Sequence, residues 1–119
     1  MDTQTLAHQL KKLISYNTVS QNKTEIRSCM KHIQTHLCSP STCRIKEYES
    51  DTHPVLIVST HNTKTPDVAF LCHIDVVSAS DQMFNLRTKN GTWYGRGVSD
   101  MKFSIPVCAD ILRNAHKAY

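Results

Sequence analysis

The sequence predicts an α/β domain, and three observations predict it. Apolar residues fall at helical spacing in the first third of the chain. The period then shifts to β-rich runs from Cys43, and a helical pattern returns after about Ser104. Helices on both sides of a mostly buried sheet define the α/β class.

The elements follow in order. Residues 3–15 place Leu6, Leu10, Leu13 and Ile14 on one helical face, with Thr3 or Thr5 as the cap. A second helix is expected from about Thr24 to Leu37, with Ile26, Met30, Ile33 and Leu37 inward, ended by SPST at 39–42. CRIKEYE and PVLIVST, separated by SDTH, read as two neighbouring strands. VAFLCHIDVV, residues 68–77, is a continuous apolar run of the kind buried on both faces, so residues 68–73 are expected as an interior strand. TWYGRGV suits a short strand or an extended loop. The last helix spans roughly Ser104 to Lys117, with Ile105, Ala109, Ile111, Leu112 and Ala115 available for burial. Pro106 is compatible with it only in the first turn.

At 119 residues, 39% of them apolar and 20% charged, the chain has the length and composition of one globular domain. No apolar run approaches the roughly 18 residues of a membrane span. The N-terminus lacks a signal-peptide segment, which makes the cytoplasm the expected compartment. Five cysteines without a CxxC pair argue against a disulfide framework, and Cys72 and Cys108 read as small core residues. The formal charge is +4, but only Lys11 and Lys12 are adjacent and no basic stripe interleaves with aromatics. Neither nucleic acid nor membrane is an expected partner.

Several local patterns fail as sites. His32 and His36 have the spacing of a zincin helix, but Ile33 stands where that motif needs glutamate. His36, Cys38 and Cys43 lack a second closely spaced ligand pair. Gly95-Arg96-Gly97 opens like a dinucleotide loop, yet Asp100 occupies the position of the last glycine. No serine sits in a GxSxG setting.

LCHIDVV, residues 71–77, carries more. Alone, HxD is a weak signal, equally suited to a satisfied core histidine and its aspartate. Its position is better: His73 lies where the apolar run ends, and ligands of open α/β sheets gather outside strand carboxyl ends. Residues two apart share a strand face, so Asp75 stands beside His73 and can fix its tautomer for a metal.

Joined to NGTWYGRGVSDMK at 90–102 and the apolar helix after it, this stretch resembles the metal-dependent aminoacylase, acetylornithine deacetylase and succinyl-diaminopimelate desuccinylase family. That family pairs an HxDVV strand with G-x-x-Y-G-R-G-x-x-D-M-K-G, matched here by Gly91, Tyr94, Gly95, Arg96, Gly97, Asp100, Met101 and Lys102. LISYNTVS at the end of the first helix resembles the family's opening. The resemblance implies that His73 is a terminal ligand of one metal, Asp100 bridges two metals, and Asp75 orients His73. It implies two zinc ions, with cobalt or manganese as alternatives, and a substrate of the N-acyl amino acid or small peptide class. It further implies a three-layer, zinc-exopeptidase-like catalytic domain with a mixed, mostly parallel sheet, and a cis peptide at Asp100-Met101.

Two departures limit it. Phe103 stands where the family has glycine. The family's general-base and metal-binding glutamates follow the helix after the bridging aspartate, whereas Glu25, Glu47 and Glu49 all precede His73. Residues 1–119 are therefore expected to be the N-terminal portion of a catalytic domain, without its lid and C-terminal portion, and inactive alone. An open sheet edge in such a piece favours homo-oligomer formation. The non-enzymatic alternative is a remnant that serves as a binding or structural module.

Overall fold

The structure is a computed structural model and describes residues 1–50 and 53–118, with side chains described to residue 115. Helix α1, Thr3–Ser15, begins at Asp2, whose carboxylate accepts from the Thr5 amide and hydroxyl, both at 2.8 Å. Asp2, not Thr3 or Thr5, is the cap: both threonines already lie inside the first turn. The Thr5 amide bond is also the main reason the Asp2 carboxyl sits below its ordinary range.

Helix α2, Lys23–His32, starts at Asn22, whose side chain accepts from the Glu25 amide. The single helix expected to Leu37 instead widens into a π turn over Ile33–Leu37, closed by Cys38 N donating to Ile33 O at 2.9 Å. The Thr35 hydroxyl donates to Lys31 O, competing with the helical ladder at that point. The wider turn keeps Ile33, Leu37 and Cys38 all buried.

Strands β1, Arg44–Tyr48, and β2, Val55–Ser59, pair antiparallel with Arg44 opposite Ser59 and Tyr48 opposite Val55. Alternation turns Ile45, Leu56 and Val58 toward the core. Strands β3, Arg87–Lys89, and β4, Thr92–Tyr94, form a second antiparallel pair. Their two-residue connection, Asn90-Gly91, has φ of 51° and 74°, the left-handed pair of a type I′ hairpin. Helix α3, Ser104–Ala118, buries Ile105, Pro106 and Ala109, with Pro106 in the first turn as expected. Ile111 is exposed, contrary to its place among the burial candidates, because the core lies on the Ile105 and Ala109 face.

The mixed, mostly parallel three-layer sheet is not formed among the described residues, although the mixture of helices and strands is. Residues 68–77 run extended and, among the described residues, pair only through one parallel bridge, Val19 to Val76. They are not an interior strand. Cys72, Ile74 and Val76 pack inward, while Val68, Phe70, Val77 and especially Leu71, 94% exposed, are left open to solvent. The apolar run can be buried on both faces only if other strands flank it, and among the described residues none does. The total exposed surface, 8015 Å², exceeds the roughly 6,500 Å² typical of a folded monomer of 13.5 kDa.

Candidate functional site

The segment after α1 fixes the position of Asp75. Thr18 is fully buried, its hydroxyl donates to Ile74 O at 2.5 Å, and its own carbonyl accepts from Val76 N at 3.0 Å. These bonds grip the backbone on either side of Asp75. Ser20 Oγ then donates to Asp75 Oδ2 at 3.4 Å.

Asp75 in turn orients His73. His73 Nδ1 lies 3.0 Å from the Asp75 carbonyl oxygen and 3.3 Å from its Oδ1. Both oxygens are acceptors, so Nδ1 carries the proton, and in neutral imidazole the lone pair is left on Nε2. That nitrogen faces Asp100 Oδ1 at 3.4 Å. The three side chains predicted from the sequence therefore meet, and all are open to solvent, at 45% for His73, 53% for Asp75 and 81% for Asp100.

Asp100 is held by the turns that precede α3. Val98 N donates to Gly95 O, Lys102 N to Gly97 O, and Ser104 N to Met101 O. The Asp100-Met101 peptide is trans, not cis as the resemblance implied. Met101 turns the chain instead, with φ of 73° in the left-handed region. Phe103 is not left-handed and its side chain is exposed, so this turn does not need glycine's freedom at that position.

Lys102, given no role by the sequence reasoning, is the anchor of this turn. Its side chain is completely buried, and Nζ donates to Leu13 O and Tyr16 O, both at 2.9 Å. Those carbonyls end α1, where a cation also meets the negative end of the helix dipole. Burial pushes the Lys102 pKa below its ordinary value. The one ammonium thus ties the Asp100 turn to the start of the Thr18 segment. Gly97 makes room for it, with φ of 89°. Gly95-Arg96-Gly97 is accordingly a structural turn, braced by Arg96 N donating to Met83 O at 2.7 Å and by Arg96 Nη2 near Ser78 O.

Two acceptors, Nε2 and a carboxylate oxygen, converge at 3.4 Å, and a proton or a metal cation between them relieves their repulsion. The separation suits zinc: bonds of about 2.0–2.2 Å at a tetrahedral angle leave ligand atoms roughly 3.4 Å apart. The pair fits a metal as two donors of a larger set. Among the described residues, no group of three His, Cys, Asp or Glu side chains gathers to hold one.

Residues 69–119 match the model of the peptidase family M20/M25/M40. The matched stretch runs from the extended segment through His73, Asp75 and Asp100 to α3. Thr18 and Ser20 lie outside it, although LISYNTVS is part of the resemblance read from the sequence. The match supports a metallopeptidase-type hydrolase in general, in a family whose members generally use zinc or another divalent metal. Two stabilising groups escaped the sequence reading. Thr18 had as its signal only its place in LISYNTVS, and Lys102 only its place in the DMK run.

Proposed function

We propose that this chain contributes one wall of the catalytic domain of a dinuclear zinc amide hydrolase, acting on N-acyl amino acids or small peptides. The observation that carries this reading is the convergence of His73 Nε2 and Asp100 Oδ1, with Asp75 fixing the imidazole tautomer. His73 would be a terminal ligand, Asp100 a bridge between two metals, and Asp75 the orienting carboxylate. Zinc, when bound, supplies Lewis acidity toward a carbonyl and acidifies water near neutral pH. The residues of this chain bind and orient; they include no glutamate after Glu49 to serve as general base.

In this proposal residues 1–119 form the N-terminal portion of a longer three-layer domain in a cytoplasmic protein. Further strands cover residues 68–77, and the remaining ligands and the lid come from the rest of the protein. The exposed apolar side chains of Val68, Phe70, Leu71 and Val77 support it. The same surface also favours the second reading, a non-enzymatic binding module.

The test is cobalt or zinc titration of the chain, followed by a turnover assay on N-acyl amino acids and dipeptides. The expected result is one weak metal site, lost in His73→Ala and in Asp100→Ala, with no turnover. Metal uptake unchanged by both substitutions would remove the hydrolase reading. Turnover abolished by both would instead show that a second copy supplies the missing groups.

A further inference from the structure

Two thiols meet directly behind the candidate site. Cys72 precedes His73 and points to the inner face of the extended segment, while Cys108 stands on α3. Their sulfurs are 3.9 Å apart, in contact but unbonded, and both residues are partly accessible. Ser104 Oγ lies 3.4 Å from Cys72 Sγ. Cys29, Cys38 and Cys43, by contrast, are buried. We infer that Cys72 and Cys108 form a peroxide-responsive dithiol that closes to a disulfide and fastens the His73 segment to α3.

Closure requires the sulfurs to approach from 3.9 Å to about 2.05 Å. The segment around Cys72 can supply that movement, since among the described residues the bonds that hold its backbone are the Val76 bridge and the Thr18 bonds, all on the carboxyl side of Cys72. Burial, and next the neighbouring Cys72 sulfur, push the Cys108 thiol up to about 11, so Cys108 stays protonated at neutral pH. Cys72 sits on the loosely tied segment whereas Cys108 is fixed within α3, so the first attack is assigned to Cys72. Its thiolate attacks one peroxide oxygen, the S–O bond forms and the O–O bond breaks, and the departing hydroxide takes a proton to leave as water. Cys72 is then a sulfenic acid. The Cys108 sulfur attacks it, the S–S bond forms, the S–O bond breaks, and the hydroxyl leaves with the Cys108 proton as a second water. Two thiols have lost two electrons, and one peroxide has become two waters.

The inference does not depend on the hydrolase reading, because neither sulfur belongs to the proposed ligand set. Its test uses the full chain, fully reduced, then exposed to hydrogen peroxide, quenched, denatured and alkylated. Three of the five cysteines should then take up the alkylating agent, and peptide mapping should recover residues 72 and 108 joined within one chain. In Cys108→Ser, Cys72 should stop at sulfenic acid and be trapped by dimedone. In Cys72→Ser, the intramolecular bond should be absent. Cys29→Ser should cross-link as the parent does. Linkage of other cysteines, bonds only between chains, or all five thiols recovered free would each overturn the assignment.

Discussion

The stem of Lys102 fills the space that a side chain at Gly97 would need: a Cβ built there lies 2.9 Å from Lys102 Cδ and 3.0 Å from Cγ. Gly97→Ala must therefore displace a buried lysine as well as strain a left-handed backbone, and a loss of about 1–3 kcal/mol is expected. Lys102→Met keeps the stem and removes the ammonium, leaving Leu13 O and Tyr16 O without their donor. A loss of about 2–4 kcal/mol is expected. Urea denaturation of both variants checks this, and unchanged midpoints would show that the anchor contributes nothing.

Thr18→Val preserves shape and deletes the hydroxyl bond to Ile74 O. The expected cost is about 1 kcal/mol. Hydrogen exchange should also quicken at Val76, whose amide rests on Thr18 O. A Val76 amide protected as in the parent would mean that the hydroxyl does not hold this segment.

Asp75→Asn should weaken zinc binding by roughly 10–100-fold, as loss of a ligand's orienting partner generally does. Stability should barely change, because Asp75 is half exposed. Calorimetric titration separates this from His73→Ala, which should abolish binding. Equal affinities for Asp75→Asn and the parent would remove the orienting role.

Stability should fall between pH 9 and 11 in the presence of a reductant. The thiols of Cys29, Cys38 and Cys108 rise from 9.0 to about 11, chiefly through burial. A raised folded pKa means that the unfolded chain releases its protons first. The contribution is complete below pH 9 and is lost as pH climbs through about 11. Lys102 acts in the opposite sense: its lowered pKa adds stability as pH rises toward 10.5. Three thiols oppose one lysine, so the melting temperature should drop, and Cys29→Ala should flatten the fall. A melting temperature constant across this window would contradict the assignment.

The inner faces of α1 and α2 were legible because Leu10, Leu13, Ile26 and Met30 repeat at helical spacing and are buried. The β1-β2 pair was legible from two β-rich stretches separated by SDTH. His73 and Asp75 could be paired by strand alternation, but Asp100 needed the resemblance, since no local pattern links residues so far apart. The run at 68–77 was misread because composition reports a capacity for burial, and burial also requires neighbours that the described residues do not place there. Asn90-Gly91 carried a hairpin signal that went unused beside the glycine-rich motif. Lys102 was illegible for a different reason: a lysine is read as a surface residue by default, and only the two carbonyls that receive it make its burial tolerable.

The bonds that hold the His73 and Asp100 segments join distant parts of the chain: Thr18 reaches Ile74 across 56 positions, and Lys102 reaches Leu13 across 89. The helices and both hairpins close over short separations and form early, whereas these two ties wait for long loops to close. During synthesis α1 must therefore emerge with its last carbonyls unclaimed, and it receives their partner only when residue 102 arrives. The turn that carries Asp100 is thus fastened to α1 only after most of the chain has been synthesised.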